Sequence, residues 1–233
     1  MITEERIASY ICSLEGPEDP VLLSIREEAQ KDGVPIVRKE TEALLSFFAD
    51  LLRPRRVLEV GCAVGYSAIL MSMHQPEGGM LTTIENYPPR ISAAKENFRR
   101  AGREDRITLL AGDAGEILKI LDGPYDLIFM DAAKAQYIVW LPEVLRVLAP
   151  GGVLISDNVL QDGDVLESRY AVTRRNRTIH TRMRAYLQTL KRREDLSTMV
   201  LPLGDGVAVT TWKPDQRSES LPDSGAAPTG ENT

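Results

Sequence analysis

The sequence predicts an α/β protein in which helices flank a mostly parallel, doubly wound sheet. From Arg55 onward, short apolar runs alternate with helical patterns, the arrangement that produces parallel sheets. The first run enters a loop containing Gly61 and Gly65 just before a predicted helix. Near the end of the chain, Gly204-Asp205-Gly206 joins two β-favouring runs. Such a hairpin would add an antiparallel edge to the sheet.

Three amphipathic helices are predicted before the sheet begins. They cover residues 3–14, 20–32 and about 38–52. The breaks between them contain glycine or proline, at Gly16-Pro17, Asp19-Pro20 and Gly33. Val34-Pro35-Ile36-Val37 is predicted to be an extended connector. The third helix carries apolar residues at helical spacing, which indicates a buried face, and Pro54 ends it.

The remaining elements follow from alternating strand and helix patterns. The predicted strands are Val57–Val60, Leu81–Glu85, Ile107–Leu110, Leu127–Asp131, Val153–Asp157, Thr198–Leu203 and Val207–Trp212. The predicted helices between them are Gly65–His74, Pro88–Ala101, Ala114–Leu121, Trp140–Leu148 and Thr173–Arg192.

Length and composition favour one domain, residues 1–213, with a helical part at 1–52 and an α/β core at 55–213. A chain of 233 residues that is 43% apolar is long enough to bury roughly 70% of its unfolded surface. Residues 214–233 are rich in Ser, Pro, Gly and Asp, which predicts a disordered tail. A charged N-terminus, two cysteines and no long apolar run predict a cytoplasmic protein without a membrane segment.

The loop from Glu59 to Ser67 is typical of sites where a ligand approaches the backbone at a helix N-terminus. Gly61 and Gly65 are spaced as G-x-x-x-G, so the G-x-G-x-x-G fingerprint of dinucleotide sites is absent. Glu85 ends the second strand, where an acidic residue can accept hydrogen bonds from ribose hydroxyls. The loop therefore favours a nucleoside-bearing cofactor. The alternative is a glycine turn that only connects strand to helix.

A third strand is followed by Gly112-Asp113-Ala114. Asp113 has two interpretations, because its carboxylate can accept from an exocyclic amine such as that of adenine or can cap the next helix. Both remain open.

Acidic and amide side chains follow two apolar runs, at Asp131 and at Asp157-Asn158. If the strands are adjacent, these oxygens meet at one sheet edge and predict a Mg²⁺ or Ca²⁺ site. Lys134 follows Asp131 by three residues and could act as a general base beside the cation. The alternatives are an exposed helix lysine and, for Asp157-Asn158, a turn signal.

Nine basic residues lie between Ser168 and Arg193 with no acidic residue among them, although the chain carries a net charge of −6. They are Arg169, Arg174, Arg175, Arg177, Arg182, Arg184, Lys191, Arg192 and Arg193. One interpretation is a solvated helix face paired with acidic residues elsewhere. The other is a surface that meets phosphates, with Tyr170 and Tyr186 either stacking on bases or packing in the core. His180 and His74 receive no functional role.

In this order, the motifs resemble the metal- and S-adenosylmethionine-dependent O-methyltransferases, the relatives of catechol and caffeoyl-CoA O-methyltransferases. The resemblance covers about residues 30–212. It rests on Glu59-x-Gly61-x-Ala63-x-Gly65-Tyr66-Ser67, Thr83-Ile84-Glu85, Gly112-Asp113-Ala114, Asp131-Ala132-Ala133-Lys134 and Asp157-Asn158-Val159-Leu160. It implies a Rossmann-like class I methyltransferase fold with seven strands, the last of them antiparallel.

The resemblance also implies roles for individual residues. The methyl donor S-adenosylmethionine would contact Val37, Glu59, Gly61, Ser67, Glu85, Asp113, Ala114 and Asp131. The cation, Mg²⁺ or Mn²⁺, would be held by Asp131, Asp157 and Asn158, with Lys134 as the catalytic base. Cys62 departs from the threonine common in bacterial members, and Val37 is assigned only from its place in Val34-Pro35-Ile36-Val37.

Over its whole length the chain is similar to a bacterial branch that methylates 5-hydroxyuridine at the tRNA wobble position. We therefore expect the Arg169–Arg193 segment to bind the tRNA anticodon region. The alternative substrate is a small catechol or phenylpropanoid, in which case the arginines are incidental or bind an acidic group. A third hypothesis is a non-catalytic S-adenosylmethionine-binding or oligomerisation protein. The relatives are often homodimers, and we expect one here.

Overall fold

A seven-stranded sheet forms the centre of the structure, a computed structural model that describes residues 5–213. The predicted tail at 214–233 lies outside the described residues. The strands are β1 (Arg56–Val60), β2 (Met80–Glu85), β3 (Ile107–Ala111), β4 (Tyr125–Met130), β5 (Leu148–Ser156), β6 (Leu196–Leu201) and β7 (Val207–Trp212). Their order is β3-β2-β1-β4-β5-β7-β6, and only β7 runs antiparallel to its neighbours. The predicted fold class is confirmed.

Eight helices surround the sheet in the described part of the chain. They are α1 (Glu5–Cys12), α2 (Pro20–Lys31), α3 (Lys39–Leu52), α4 (Tyr66–His74), α5 (Pro88–Arg100), α6 (Ala114–Ile120), α7 (Tyr137–Val147) and α8 (Arg177–Arg192). Two short 3₁₀ segments, Lys134–Gln136 and Gln161–Leu166, were not predicted. None of the helices within residues 5–213 is both long and apolar enough to cross a bilayer.

The sheet separates two hydrophobic clusters, and β4 contributes to both. Leu127 and Phe129 pack into the cluster that includes residues of α2–α5, whereas Ile128 and Met130 pack into the cluster with α6–α8. All four side chains are fully buried. Strands covered on both faces have continuous apolar sequences, which explains why β4 could be recognised from the sequence.

The strand register aligns the carboxyl ends of the central strands. Val60 of β1 pairs with Ile84 of β2 and with Met130 of β4, and Met130 pairs with Ser156 of β5. The backbone N–H of Asp131 donates to Val60 O at 3.0 Å, and that of Asp157 donates to Met130 O at 3.0 Å. The residues that follow these strands therefore leave the sheet at one edge.

A polar cluster attaches the N-terminal helices to the start of α4. The Tyr66 hydroxyl lies 2.5 Å from Glu18 Oε1 and 2.8 Å from Glu42 Oε2. Arg26 contacts all three of these side chains, and Lys39 Nζ donates to Glu18 at 2.5 Å. Tyr66 directly follows Gly65 and is nearly inaccessible to solvent. Its contacts with Arg26 and Glu42 therefore attach α2 and α3 to the loop that ends at Gly65.

Three elements begin three or more residues away from their predicted starts. β5 begins at Leu148 rather than Val153, because Leu148 pairs with Tyr125 ahead of a register shift that absorbs the Pro150-Gly151-Gly152 turn. α7 begins at Tyr137, directly after a 3₁₀ segment. α8 begins at Arg177, because residues 173–176 form a separate turn closed by the Asn176 N–H to the Thr173 carbonyl at 2.9 Å.

Candidate functional site

A cavity of about 1010 Å³ lies along the carboxyl edge of the sheet. Most of the residues predicted to form a site line it: Val37, Gly61, Ser67, Glu85, Asp113, Ala114, Asp131, Lys134, Asp157 and Asn158. Glu59 is the exception among the predicted residues, since its side chain is fully buried behind this surface. The structure thus gathers residues from five strand ends and the N-terminal connector around one space.

We call the part formed by Gly61, Cys62, Ala63, Glu85 and Asp113 the glycine-loop side. Gly61 has φ +105°, and a Cβ atom there would lie 2.2 Å from the Asp131 carbonyl oxygen. Only glycine fits this position, because a side chain would be strained and would collide with backbone. The N–H groups of Gly61 and Cys62 both donate to Ile84 O at 3.1 Å. The loop is therefore fixed between β2 and the end of β4.

Glu85 holds the glycine-loop side through backbone hydrogen bonds. Its Oε2 accepts from Ala63 N–H at 2.9 Å, and its Oε1 accepts from the N–H groups of Asn86 and Tyr87 at 3.0 Å each. These bonds fix the carboxylate at the cavity wall. An ionised carboxylate has about four acceptor positions, so at least one is left for a ligand hydroxyl.

Glu59 supports the same side from below the surface. Its carboxylate accepts hydrogen bonds from Ser67 Oγ at 2.6 Å and from Thr83 Oγ1 at 2.5 Å. Burial raises the pKa of Glu59 to about 7, and the two hydroxyl donors oppose this shift. A direct contact between Glu59 and a cofactor stays a prediction. Ser67, which donates to Glu59, does line the cavity.

Asp113 performs the capping role that the sequence left open. Its Oδ1 accepts from the N–H of Glu116 at 3.2 Å and caps α6. Asp113 also lines the cavity, so the capping bond does not remove it from the ligand side. The two interpretations of this residue are compatible.

We call the opposite part, formed by Asp131, Lys134, Asp157 and Asn158, the acidic side. Lys134 Nζ lies 2.5 Å from Asp131 Oδ1 and 3.3 Å from the Tyr137 hydroxyl. Tyr137 is fully buried and donates to Met130 O at 2.7 Å, next to the predicted ligand Asp131. The lysine is thus held at the strand end by an ion pair and a phenol.

Asp157 is a buried carboxylate, and few hydrogen bonds offset the cost of burying its charge. Burial raises its pKa to about 6, nearby Asp131 adds to the shift, and Lys134 opposes it. Its Oδ1 accepts from the N–H of Asn158 at 2.7 Å, and within residues 5–213 no other hydrogen bond reaches this carboxylate. A buried carboxylate that accepts only one hydrogen bond would be stabilised by a nearby cation.

The side chain of Asn158 is oriented by a residue outside the predicted set. Its Nδ2 donates to Asp205 Oδ2 at 3.2 Å, and this bond leaves the amide oxygen free of Asp205. Asp205 Oδ1 lies 2.7 Å from Arg38 Nη2, an ion-pair contact without hydrogen-bond alignment. Asn158 also has φ +56°, a conformation that asparagine tolerates better than most residues.

The acidic side offers a divalent cation amide as well as carboxylate oxygens. Among residues 5–213, no group of three His, Cys, Asp or Glu side chains is arranged to hold a metal ion. The predicted ligands are of another composition, two carboxylates and one amide, which suits Mg²⁺ or Mn²⁺ when water and substrate complete the coordination. The undercompensated Asp157 and the oriented amide of Asn158 both fit such an ion.

Sequence reasoning missed Arg38, Tyr66 and Asp205 as residues acting near the site. Tyr66 and Asp205 lie inside motifs that the sequence did single out, the glycine loop and the Gly204–Gly206 turn. Each was interpreted only for backbone geometry. Their partners come from elements far away in the chain, so no local pattern could reveal these contacts.

The basic segment after β5 is only partly bonded to the protein. Arg182 donates to Ala135 O at 3.1 Å and Arg184 to Val165 O at 2.9 Å, so both bind backbone rather than acidic side chains. Arg169, Arg174 and Arg175 are exposed. Among residues 5–213, the Arg169–Arg193 segment forms one ion pair, between Arg193 and Asp195.

Two aromatic residues in this segment have different positions. Tyr170 is 87% exposed, whereas Tyr186 is fully buried with its hydroxyl 2.6 Å from Ser156 Oγ. Base stacking by Tyr186 is therefore excluded, because α8 packs this face on β5. His180 is also buried, with Nε2 3.0 Å from Glu167 O, and His74 pairs with Asp50 at the surface.

The chain is similar to proteins described as O-methyltransferases. A family model described as O-methyltransferase matches residues 12–213. The catechol O-methyltransferase of Niastella koreensis is 34% identical over 169 residues, 70% of this chain and 76% of the relative. The SAH-bound structure of Podospora anserina methyltransferase PaMTH1 has 26% identity and a TM-score of 0.82, covering 90% of this chain and 95% of that one. A putative caffeoyl-CoA O-methyltransferase structure from Staphylococcus aureus has 28% identity and a TM-score of 0.83, covering 90% and 100%.

Proposed function

The chain belongs to the O-methyltransferase family, and from this premise we propose that it methylates the 5-hydroxyl of 5-hydroxyuridine in tRNA, using S-adenosylmethionine. The observation that carries the reaction class is the single cavity in which the glycine-loop side faces the acidic side. One side fits a nucleoside-bearing methyl donor, and the other fits a cation with a hydroxyl substrate. The SAH-bound relative supports the choice of donor.

The glycine-loop side would hold the methyl donor. Gly61 allows close approach of the ligand to the backbone, and Glu85 would accept hydrogen bonds from the ribose hydroxyls. Asp113, at the adjacent strand end, would accept from the adenine amine. These groups are fixed before the ligand arrives, so they position the methyl group with little reorganisation.

The acidic side would hold the hydroxyl that is methylated. Asp131, Asp157 and Asn158 would bind Mg²⁺ or Mn²⁺, which when bound supplies positive charge that lowers the pKa of a substrate hydroxyl. Lys134 is the general base in this proposal, because contacts with Asp131 and Tyr137 hold its Nζ at the predicted ligand Asp131, where the substrate hydroxyl would lie. Methyl transfer also requires the substrate oxygen to lie in line with the methyl carbon and sulfur of S-adenosylmethionine.

The tRNA substrate is supported by the basic segment and by the chemistry of the base. A 5-hydroxyl next to the O4 carbonyl presents two adjacent oxygens, as a catechol does. Arg182 of α8 binds the carbonyl of Ala135, one residue after Lys134, so the segment borders the acidic side. The exposed Arg169, Arg174 and Arg175 would meet the phosphates of a loop whose unpaired base enters the cavity.

A small catechol is the second candidate substrate, favoured by the catechol O-methyltransferase among the relatives. The two candidates differ in what the arginines do. Binding of tRNA through phosphates becomes weaker as salt is added, by an amount that grows with the number of phosphates contacted. Turnover of a small catechol requires no such contacts.

The deciding experiment supplies the purified protein with S-adenosylmethionine, Mg²⁺ and tRNA containing 5-hydroxyuridine or, separately, a catechol. We expect methylation of the tRNA, loss of activity in EDTA and recovery with Mg²⁺ or Mn²⁺. Arg174→Glu should weaken tRNA binding about tenfold and leave the affinity for SAH unchanged. Lys95→Glu, a charge reversal at an exposed position of α5 on the other face of the sheet, is the control. Methylation of catechol with inert tRNA would contradict the substrate proposal.

A homodimer is also part of the proposal. Large apolar side chains are exposed on α1 and α3, with Tyr10 66%, Phe47 61% and Leu51 62% accessible. A patch of this kind favours a protein–protein contact. Light scattering at micromolar concentration would give twice the mass of one chain, and Phe47→Glu should reduce that value to the monomer mass.

A further inference from the structure

We propose that Asp205 fixes the side-chain amide of Asn158 in the orientation that presents its oxygen to a divalent cation. The inference rests on the proposed function, in which Asn158 is a cation ligand. Asp205 lies in the turn between β6 and β7 and reaches the cavity wall from there. It acts through Asn158 and is therefore a positioning residue.

The orientation follows from the chemistry of the two groups. A carboxylate accepts hydrogen bonds and donates none, so the group that faces Asp205 must be the NH₂ of the amide. Nδ2 of Asn158 lies 3.2 Å from Asp205 Oδ2, in agreement with this requirement. The amide oxygen then points away from Asp205. Without this neighbour the amide could turn by half a rotation and direct its NH₂ group at the cation, which would repel it.

The carboxylate of Asp205 is itself held in place. Its second oxygen, Oδ1, lies 2.7 Å from Nη2 of Arg38, and the Asp205 side chain is only 17% exposed. The Asn158 amide and the Arg38 guanidinium thus each face one oxygen of Asp205, and the side chain of Asp162 is a further neighbour. Arg38 directly follows Val37 of the cavity wall, so the chain of contacts joins the N-terminal connector to a predicted ligand.

The turn around Asp205 is attached independently of the side chain. The N–H of Val159 donates to Gly206 O at 2.9 Å, and the N–H of Leu160 donates to Asp205 O at 2.9 Å. Gly206 has φ +87°, and a Cβ atom there would lie 2.4 Å from the Leu160 side chain. A substitution that removes only the Asp205 carboxylate therefore keeps the turn against the loop.

The test measures Mn²⁺ affinity by electron paramagnetic resonance, in which the signal of the free ion disappears on binding. We expect Asp205→Ala to weaken Mn²⁺ binding by about tenfold or more, the size typical of lost outer contacts to a ligand. Removing a carboxylate also reduces attraction for any cation. That charge effect should be at most about threefold, and the Asn158→Asp background measures it.

Repeating the Asp205→Ala substitution in the Asn158→Asp variant separates an effect on amide orientation from a general effect on the structure of the site. In Asn158→Asp both ends of the side chain are oxygen, so no orientation has to be selected. Asp205→Ala should then weaken Mn²⁺ binding by no more than the charge effect. Equal weakening of Mn²⁺ binding in both backgrounds would overturn the inference.

The outcomes distinguish this inference from the proposed function. If the wild-type protein leaves the Mn²⁺ signal unchanged, the cation site fails and the inference falls with it. If the wild type binds and Asp205→Ala acts equally in both backgrounds, only the inference fails. Thermal unfolding in EDTA checks that each variant is folded. Asp205→Leu, which fills the space without an acceptor, replaces Asp205→Ala if the latter is unfolded.

Discussion

The carboxylates that support the glycine-loop side of the cavity each accept several hydrogen bonds, whereas on the acidic side the buried Asp157 accepts one and lies near the like charge of Asp131. Glu85 accepts three backbone N–H bonds and Glu59 accepts two hydroxyl bonds. Asp157 accepts one bond, and the charge of Asp131 raises its pKa further. The difference indicates that the first side is complete before its ligand binds. On the proposed function, the second side would be completed by a cation that compensates Asp157.

Gly61→Ala should have the largest effect, because Gly61 is the point where the two sides meet. The new Cβ atom would lie 2.2 Å from the Asp131 carbonyl oxygen at a φ of +105°, so β1 and β4 must move apart. We expect SAH affinity, measured by calorimetry, to fall at least about a hundredfold, or roughly 3 kcal/mol. The melting temperature should fall as well.

Gly78→Ala is the control for this substitution. Gly78 also has a positive φ, of +78°, but a Cβ atom there meets nothing within 4 Å. It should cost about 1 kcal/mol of stability from backbone strain alone and leave SAH affinity unchanged. An SAH affinity of Gly61→Ala equal to that of the wild type would show that the two sides are not joined through this contact.

Lys134→Met tests whether the two sides can be separated. If Lys134 is the base, kcat should fall by about 10²–10⁴-fold, the usual range for losing a general base. SAH affinity should fall far less than kcat, because Lys134 reaches the predicted donor contacts only through Asp131. Lys95→Met, at an exposed position of α5, is the control. A normal kcat would remove the assigned role of Lys134.

The sequence predicted the glycine-loop side better than the acidic side. Gly61, Gly65 and Glu85 follow local rules of backbone geometry and strand ends, and the register of β1 with β2 places them as expected. Asp131 and Asp157 were also placed at adjacent strand ends, because parallel strands align their carboxyl ends. For these residues, position along a strand is enough.

The contacts that orient the acidic side were not predictable in the same way. Asp205 reaches Asn158 from 47 residues further along the chain, through a hairpin whose strand β7 inserts beside β5. No periodicity encodes which turn residue meets which loop. Tyr186 was ambiguous for a related reason, since an aromatic residue at helical spacing fits a core or a surface until the packed face of α8 is known.

Glu59→Gln sharpens the comparison through pH. The pKa of Glu59 is raised from 4.5 to about 7 by burial, so between these values the folded protein holds a proton that the unfolded chain has released. Stability therefore falls as pH rises through this window, by up to about 3 kcal/mol. Glutamine cannot ionise, and the variant should lack this part of the decline.

Urea unfolding at pH 5 and pH 8, without ligand and in EDTA, measures the effect. The titration of Asp157 is common to both proteins and cancels in the difference between them. The advantage of Glu59→Gln over the wild type should grow from pH 5 to pH 8. A constant difference would mean that Glu59 does not change its protonation in this range.

Tyr66→Phe should have the smallest effect, because it removes one hydroxyl from a cluster that keeps its ion pairs. The hydroxyl lies 2.5 Å from Glu18 and 2.8 Å from Glu42, and Arg26 also contacts it. Losing a hydrogen bond to charged groups costs about 1.5–3 kcal/mol, and the remaining Arg26 and Lys39 contacts place the result at the low end. Urea unfolding should show this loss, with Tyr170→Phe, at an exposed tyrosine, as the neutral control. SAH affinity should fall only a fewfold, because Arg26 stays paired with Glu18 and Glu42 and keeps α2 and α3 in place beside the loop. A larger loss of SAH affinity than of stability would mean that the N-terminal helices belong to the glycine-loop side itself.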